Sequence, residues 1–297
     1  MNSISLSMLH ADTARNRRIG IAMVCATTVC FTALDTTAKW LVVGLPVFQV
    51  VWLRFLTHSL LGLAVLAPRY GKRLFQVNQP RLQLLRAAML GMQTGLNFWA
   101  LRYLQLDVTA SIQFSVPILI ALISAKWLGE RLDGRRWIAI LAGFAGVLLI
   151  VRPGSHQFHP AIILSLLNAV LYAVFNLLTR RLAATELPAA TQLLSAIGAT
   201  VLLTPFGLLS WQTPHSAWTW LLILSMGLYG GIGHVLVAYA HRYASAAVLG
   251  PFLYQQILYM SLAGWLVFGQ LPDAAVIGGA AIVVVSGLYL LYREFER

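Results

Sequence analysis

Apolar blocks of about 20 residues, separated by short polar segments, make up nearly all of the 297-residue chain. A helix of that length crosses a bilayer core about 30 Å thick. Only helices and closed barrels satisfy their backbone hydrogen bonds in lipid, and the sequence lacks the alternating pattern of barrel strands. With 59% hydrophobic and 10% charged residues, the chain is predicted to be an all-α protein embedded in the lipid bilayer.

Ten transmembrane helices are predicted from the lengths of these blocks. The predicted spans are residues 19–41, 46–67, 84–103, 107–127, 136–152, 160–182, 189–209, 217–241, 245–268 and 274–292. An even number places both tails, residues 1–18 and 293–297, on one side, and most of the 21 Lys and Arg residues, Arg86 included, then collect on that side. The positive-inside rule makes it the cytoplasmic face of the inner membrane. This distribution also explains the net charge of +12 without a nucleic-acid partner.

The chain contains an internal repeat. A shift of 140 residues places the ALRY sequence at 100–103 on the AHRY sequence at 240–243. The two copies, residues 19–152 and 160–292, hold five predicted helices each. Because five is odd, the second copy begins on the opposite side of the membrane, so the two repeats are inverted. Inverted repeats are typical of alternating-access transporters, whose substrate site lies near the midplane between the halves.

The repeats and their motifs resemble the drug/metabolite transporter superfamily, and specifically its ten-helix EamA-type branch. The resemblance covers residues 19–292 and rests on the ALRY sequence, on the WLGERL turn at 127–132, and on D-x-x-x-K-W at 35–40 followed by P-x-x-Q-x-x-x-x-R at 46–54. One departure is Gln270, which stands where the second copy usually has a glutamate. The resemblance implies a cavity lined by the first, third, fourth, sixth, eighth and ninth helices. It also implies export of amino acids and related metabolites, or uptake of compounds such as S-adenosylmethionine or riboflavin.

Two opposite charges, Asp35 and Lys39, lie four residues apart inside the first predicted span, where ionised groups are rare. Arg54 lies at a similar depth in the second span, and we expect it to be the tighter partner of Asp35 because a guanidinium binds a carboxylate with two hydrogen bonds. Lys39 is expected to face the outer vestibule, and His58 extends the polar face toward the midplane. Two interpretations stay open: the Asp35–Arg54 pair handles substrate or protons, or it is a structural clamp between helices.

The second repeat carries uncharged polar groups in place of these charges. Asn168, Tyr172 and Asn176 recur every four residues on one face of the sixth span. His234 lies in a glycine-rich segment and is, with Asp35, a candidate for proton coupling, because imidazole titrates near neutral pH. The full set of candidates for substrate binding or coupling is Asp35, Lys39, Arg54, His58, Asn97, Trp99, Gln113, Asn168, Tyr172, Asn176, His234, Tyr254, Gln255 and Tyr259.

An enzymatic function is not predicted. The sequence lacks the H-E-x-x-H, phosphate-loop and G-x-S-x-G patterns, and no catalytic residue is assigned. Cys25 and Cys30 share one span, which gives neither a disulfide framework nor a metal site, and no cofactor is expected. The predicted partners are a small-molecule substrate and the bilayer, and the chain is expected to be a monomer or a homodimer.

We therefore predict an inner-membrane secondary transporter that moves a small polar metabolite. The basic residues Lys39, Arg54 and His58 favour a substrate with at least one carboxylate. Export of an amino acid or an amino-acid-derived conjugate, such as an opine-type metallophore, is the first hypothesis. Import of a nucleoside-like or flavin-like compound, of the S-adenosylmethionine or riboflavin class, is the alternative. A membrane scaffold that transports nothing is the competing class.

Overall fold

A computed structural model describes residues 13–128, 134–153, 158–183, 185–244 and 246–295. The described part is helical and contains no strand, which confirms that the fold is all-α. Its α-helices are α1 (Ala14–Gly44), α2 (Val47–Tyr70), α3 (Pro80–Leu101), α4 (Leu106–Gln113), α5 (Val116–Leu128), α6 (Gly134–Val151), α7 (Ile162–Ala183), α8 (Pro188–Leu209), α9 (Ala217–Tyr243), α10 (Ala246–Leu253), α11 (Gln256–Phe268) and α12 (Ala274–Phe295). A 3₁₀ helix, Gly71–Phe75, follows α2. Much of the predicted turn at 127–132 lies outside the described residues.

Eight of the predicted spans correspond to one helix each, and two are divided. The segment predicted at 107–127 consists of α4 and α5, and the segment at 245–268 consists of α10 and α11. By length and apolar composition, five helical segments of the described chain are able to cross a membrane: Ala14–Gly44, Val47–Phe75, Ile162–Thr179, Pro188–Leu209 and Ala217–Ala240. Shorter apolar helices account for much of the rest.

The two interruptions occupy equivalent places in the sequence. One lies at residues 114–115 and the other at 254–255, which is 140 residues later, and the flanking helices α4 and α10 also begin and end 140 residues apart. Proline contributes to the first interruption, because Pro117 has no N–H to donate to the carbonyl of Gln113. The second has Ile257 at the matching position. Tight backbone bonds close both turns, from Ser115 N to the Ile112 carbonyl at 3.0 Å and from Ile257 N to the Tyr254 carbonyl at 3.2 Å.

Helices of the first half pack directly against helices of the second. Helix α1 lies along α9, α2 lies against α8 and α9, and α3 lies against α7 and α8. The largest apolar core of the described chain is formed where these six helices meet α4 and α11. The helices α6 and α12 meet outside it through their backbones: a Cβ atom at Gly279 would lie 2.6 Å from the carbonyl oxygen of Gly146, a contact that only glycine permits.

Two polar links join loops of the two halves. At the start of α3, Oε1 of Glu186 accepts hydrogen bonds from the backbone N–H groups of Asn78 and Gln79, both at 2.8 Å. It therefore satisfies donors at a helix N-terminus that has no side-chain cap of its own. At the start of α2, Gln49 exchanges two hydrogen bonds with the backbone of Gln212, at 2.7 and 2.8 Å.

Asp273 caps the N-terminus of α12. Its Oδ1 accepts from the N–H groups of Ala275 and Val276, at 3.0 and 2.9 Å, and also contacts Arg152 at the end of α6. The bond from Val276 holds the pKa of Asp273 below its ordinary value, with smaller contributions from Arg152 and Ala275. A carboxylate with a lowered pKa stabilises the fold at neutral pH, and this contribution disappears as the pH falls through that pKa.

We expect Asp273→Ala to reduce the free energy of unfolding by about 1 kcal/mol at pH 7, the usual cost of losing an N-cap. The loss should shrink progressively as the pH falls below about 4, because the carboxylate of the unmodified protein becomes protonated as the pH falls through its lowered pKa. Thermal unfolding of the purified protein at pH 7 and below about pH 4 measures this loss of stability. Asp273→Asn is the matched control, because asparagine caps a helix but does not titrate. Equal effects of Ala and Asn would contradict a capping role.

Candidate functional site

Polar side chains lie inside the helix bundle. The side chains of Asp35, Tyr172 and His234 are surrounded by protein, yet each keeps part of its surface accessible. They come from α1, α7 and α9, which belong to both halves. We call the part of the bundle interior that contains these side chains and that of Asn97 on α3 the central chamber. Four residues chosen from the sequence for their polarity thus lie inside the bundle.

Asp35 and Asn97 form the first contact in the central chamber. The Asn97 side-chain amide donates to Oδ1 of Asp35 at 3.0 Å. The expectation that Arg54 is the tighter partner of Asp35 is wrong, because no ion pair joins the two among the described residues. They remain near enough for their charges to interact. An amide donor therefore occupies one carboxylate oxygen where a guanidinium was expected.

Arg54 is buried without a hydrogen-bond partner in the described structure. Its side chain is 2% exposed, and both Nε and Nη1 are sealed from solvent and unpaired. The guanidinium lies over the ring of Phe55, 4.0 Å from the centroid. It also faces Gly230 on α9, where an added Cβ atom would lie 3.1 Å from Nη2. Aromatic contact offsets only part of the cost of removing such a charge from water.

Two histidines stand beside Arg54. His58, one turn later on α2, stacks on His234 of α9 with ring centroids 6.0 Å apart and planes inclined by 13°. The edge of Phe31 meets His234 at 5.2 Å. His58 is buried, and its Nδ1 has no partner among the described residues. The predicted polar face of Arg54 and His58 is therefore present, and His234 continues it from the other half.

Lys39 does not face an outer vestibule, and that expectation is wrong. Its side chain is only 6% exposed, and Nζ donates to the backbone carbonyls of Leu101 at 3.0 Å and Leu104 at 2.5 Å. These carbonyls lie at and just after the C-terminus of α3, where the helix dipole favours a cation. The centroid of the Phe268 ring lies 5.4 Å from Nζ of Lys39. Lys39 thus caps the C-terminus of α3 through its side chain.

The uncharged candidates fall into two groups. Asn168 on α7 donates to Gln113 on α4 at 2.9 Å, so this pair links the halves beside the first interruption. Asn176 donates to the backbone carbonyl of Tyr172 at 2.7 Å, within its own helix. Both bonds satisfy amide groups in an apolar bundle, the first between two helices and the second within one helix, and such structural bonding alone accounts for them.

The candidates near the second interruption contact α1 and the first interruption. Gln255 donates to Thr28 on α1 at 3.2 Å and accepts from Tyr259 at 3.2 Å. Tyr259 also lines an apolar groove of about 430 Å³ between α1 and α11. The ring of Tyr254 lies 4.9 Å from that of Phe114. Tyr254 and Phe114 are separated by 140 residues, so equivalent residues of the two halves touch.

Trp99 lies outside the central chamber. Its side chain is 42% exposed on the bundle surface, and its ring meets that of Phe48 at 6.0 Å. Amphipathic tryptophan is common at this kind of position near a membrane interface. The structure therefore gives Trp99 no contact with the other candidates.

Sequence reasoning missed Arg86, which it counted among the loop charges. The side chain is fully buried, 0% exposed, and its guanidinium donates to α7 and α8. Nε bonds Thr179 at 2.9 Å, and Nη1 bonds the Thr191 carbonyl at 3.1 Å and Ser195 at 2.5 Å. Phe175 lies under the guanidinium at 4.4 Å. Unlike Arg54, Arg86 is well satisfied.

The sequence of both halves of the bundle matches a known family. The sequence model of the EamA-like transporter family fits residues 18–152 and again 159–293. The chain belongs to the EamA-like transporter family. It is therefore a multi-pass membrane transporter of the drug/metabolite transporter superfamily, and the family resemblance inferred from its motifs is confirmed.

Named relatives of this EamA-like transporter differ in substrate and direction. It is 25% identical to the S-adenosylmethionine uptake transporter of Rickettsia bellii, over 95% of this chain and 97% of that protein. The riboflavin transporter of Vibrio cholerae is 30% identical over 71% of this chain and 70% of its own length. The pseudopaline exporter CntI of Pseudomonas aeruginosa is 25% identical over 91% of this chain and 95% of its own length.

One solved crystal structure shares the fold of this EamA-like transporter. It has a TM-score of 0.61 and 21% identity, and the alignment covers 92% of this chain and 99% of the other. At that identity the similarity is one of fold.

Proposed function

We propose that this protein is a secondary carrier of the cytoplasmic membrane that moves an amino-acid-derived metabolite by alternating access. In this proposal α4 with α5, and α10 with α11, each make one crossing, which gives ten crossings in two inverted repeats. Basic residues concentrated in alternate loops support cytoplasmic termini.

The contact between Phe114 and Tyr254 carries this proposal. Interrupted helices at matching places in two repeats mark the substrate region of many carriers. Here the two interruptions touch each other, with ring centroids 4.9 Å apart. A pseudo-two-fold axis between these rings would relate the two halves, and each half could then rock against the other around the central chamber.

The central chamber supports a small, charged, polar substrate. It presents a carboxylate at Asp35, an amide at Asn97, a phenol at Tyr172 and imidazole at His234. A purely apolar compound would leave the second carboxylate oxygen of Asp35 without a partner, at a cost of about 1–3 kcal/mol.

Export of an amino-acid conjugate, the first hypothesis from the sequence, is consistent with the similarity to an exporter. A specific observation favours a second candidate, uptake of an S-adenosylmethionine-like compound: four Rickettsia relatives named for S-adenosylmethionine uptake align over 93–95% of this chain. Both candidates carry an amino-acid head group and would use the same chamber. The coupled gradients set the direction of a carrier, and proton coupling through Asp35 or His234 is part of the proposal.

Counterflow in proteoliposomes tests the proposal independently of direction. Liposomes containing the purified protein are loaded with unlabelled S-adenosylmethionine, and uptake of external labelled compound is expected to exceed that of empty liposomes. Riboflavin serves as the competing substrate. Exchange of riboflavin alone would replace the amino-acid class with a flavin. Failure to exchange any of S-adenosylmethionine, methionine and riboflavin would favour a scaffold. Metabolite profiles of cells with and without the gene then give the direction.

A further inference from the structure

We infer that Arg54 and Asp35 together bind the zwitterionic head group of an α-amino acid, with its carboxylate on Arg54 and its ammonium on Asp35. This inference rests on the proposed function, since it names the part of the substrate that the central chamber recognises. Two groups of opposite charge inside the bundle, which form no ion pair with each other, carry it.

The first observation is the unsatisfied guanidinium. Arg54 offers five N–H donors, and the described residues accept none of them. An unpaired charge at 2% exposure opposes folding strongly, and a protein retains such a group when a partner of opposite charge arrives during function. Because a guanidinium binds carboxylates through two parallel bonds, a substrate carboxylate is the matching partner.

The second observation is that only one carboxylate oxygen of Asp35 is hydrogen-bonded. Asn97 occupies Oδ1, and Oδ2 has no hydrogen bond among the described residues. The Asn97 bond holds the carboxylate in one orientation without neutralising it. Asp35 is partly accessible, so an ammonium group in the central chamber can reach the free oxygen.

The separation of the two charges favours a zwitterion over a simple anion. Asp35 and Arg54 interact electrostatically, yet they form no ion pair. A carboxylate alone would satisfy Arg54 and would be repelled by Asp35, whereas an α-amino acid supplies both opposite charges on one carbon. Binding then completes two ion pairs inside the helix bundle, where opposite charges interact more strongly than they do in water.

The surroundings of Arg54 complete the head-group site. Gly230 leaves the guanidinium free of a side chain on the α9 side. The stacked rings of His58 and His234 form the adjoining wall, and Nδ1 of His58 is unpaired. The 140-residue shift places Phe175 on Asp35, and a slip of two residues places Ala196 on Arg54, so the second repeat carries no charges there. The fold itself does not need the pair.

The test compares Arg54→Gln with Arg86→Gln. Both substitutions remove a buried arginine, but Arg54 has no hydrogen-bond partner among the described residues, whereas Arg86 has several. Binding by the purified full-length protein is measured by thermal shift and calorimetry. The probes are S-adenosylmethionine and decarboxylated S-adenosylmethionine, which keeps the ammonium and sulfonium groups but lacks the carboxylate.

The unmodified protein is expected to bind decarboxylated S-adenosylmethionine at least about tenfold more weakly than S-adenosylmethionine. Arg54→Gln should lose this discrimination while its ligand-free melting temperature stays the same or rises, because an unpaired buried charge is removed. Arg86→Gln should melt at a lower temperature and keep the discrimination.

Each contrary outcome has a separate meaning. Equal binding of the two probes to the unmodified protein would overturn the zwitterion site and leave the proposed function intact. Retained discrimination in Arg54→Gln would also overturn it, as would a large fall in its ligand-free melting temperature, which would mark a structural clamp. Binding of riboflavin and of neither probe would overturn both the site and the proposed substrate class.

Discussion

Arg86→Gln is expected to lower the free energy of unfolding by about 3 kcal/mol, because it removes charge-assisted hydrogen bonds that join three helices. The guanidinium reaches Thr179 on α7 and both Thr191 and Ser195 on α8. Glutamine is shorter and donates from one nitrogen, so it cannot reach both helices at once. Acceptors oriented toward the arginine then face a gap in an apolar bundle.

Urea unfolding of the purified protein, followed by circular dichroism, measures this loss. Arg81→Gln is the matched control, because Arg81 lies on the same helix but is exposed, and its replacement should change stability by less than about 0.5 kcal/mol. If the two variants unfold at the same urea concentration, the links from Arg86 to α7 and α8 contribute nothing to stability.

The helix positions could be predicted from the sequence because the bilayer imposes one length on every span. Predicted starts at 46, 189 and 217 lie within one residue of α2, α8 and α9. The interruptions were not predicted. The first had a signal in Pro117, which removes one backbone bond, but the second has Ile257 at that position, which keeps its N–H and gives no such signal.

The partners of the charged residues could not be predicted, although their locations were. Depth along a helix follows from counting residues, but rotation about the helix axis decides which neighbour a side chain meets. Arg54 faces Gly230 on α9, and Asp35 faces Asn97 on α3. Both neighbours belong to helices that are distant in sequence from the residue they meet.

Arg86 illustrates a second limit of the sequence. A charge near the start of a span is usually a loop residue, and the predicted start at 84 left Arg86 close to the loop. The helix begins at Pro80, so Arg86 lies nearly two turns inside it. A difference of four residues between the predicted and the observed start of this helix thus decides whether Arg86 is solvated or buried. Helix boundaries are the least certain part of a sequence-based prediction.

The substitution with the largest expected effect on transport is Asp35→Asn, which should reduce S-adenosylmethionine counterflow about a hundredfold. Asparagine has the shape of aspartate and keeps an oxygen that can accept from Asn97, so the fold should remain within about 1 kcal/mol of its original stability. The change removes the negative charge that we propose binds the substrate ammonium. Loss of one buried ion pair of about 3 kcal/mol corresponds to the hundredfold change.

Asp107→Asn provides the matched control for this prediction. Asp107 is also a buried carboxylate, 4% exposed, but it lies in the first turn of α4, outside the central chamber. Counterflow and melting temperature are measured for both variants at several pH values. Loss of transport in Asp35→Asn alone, with its melting temperature preserved, assigns the carboxylate to transport. Retained transport with an unchanged pH dependence and a lower melting temperature would make Asp35 a structural residue. Its carboxylate would then contribute to the stability of the fold and not to transport.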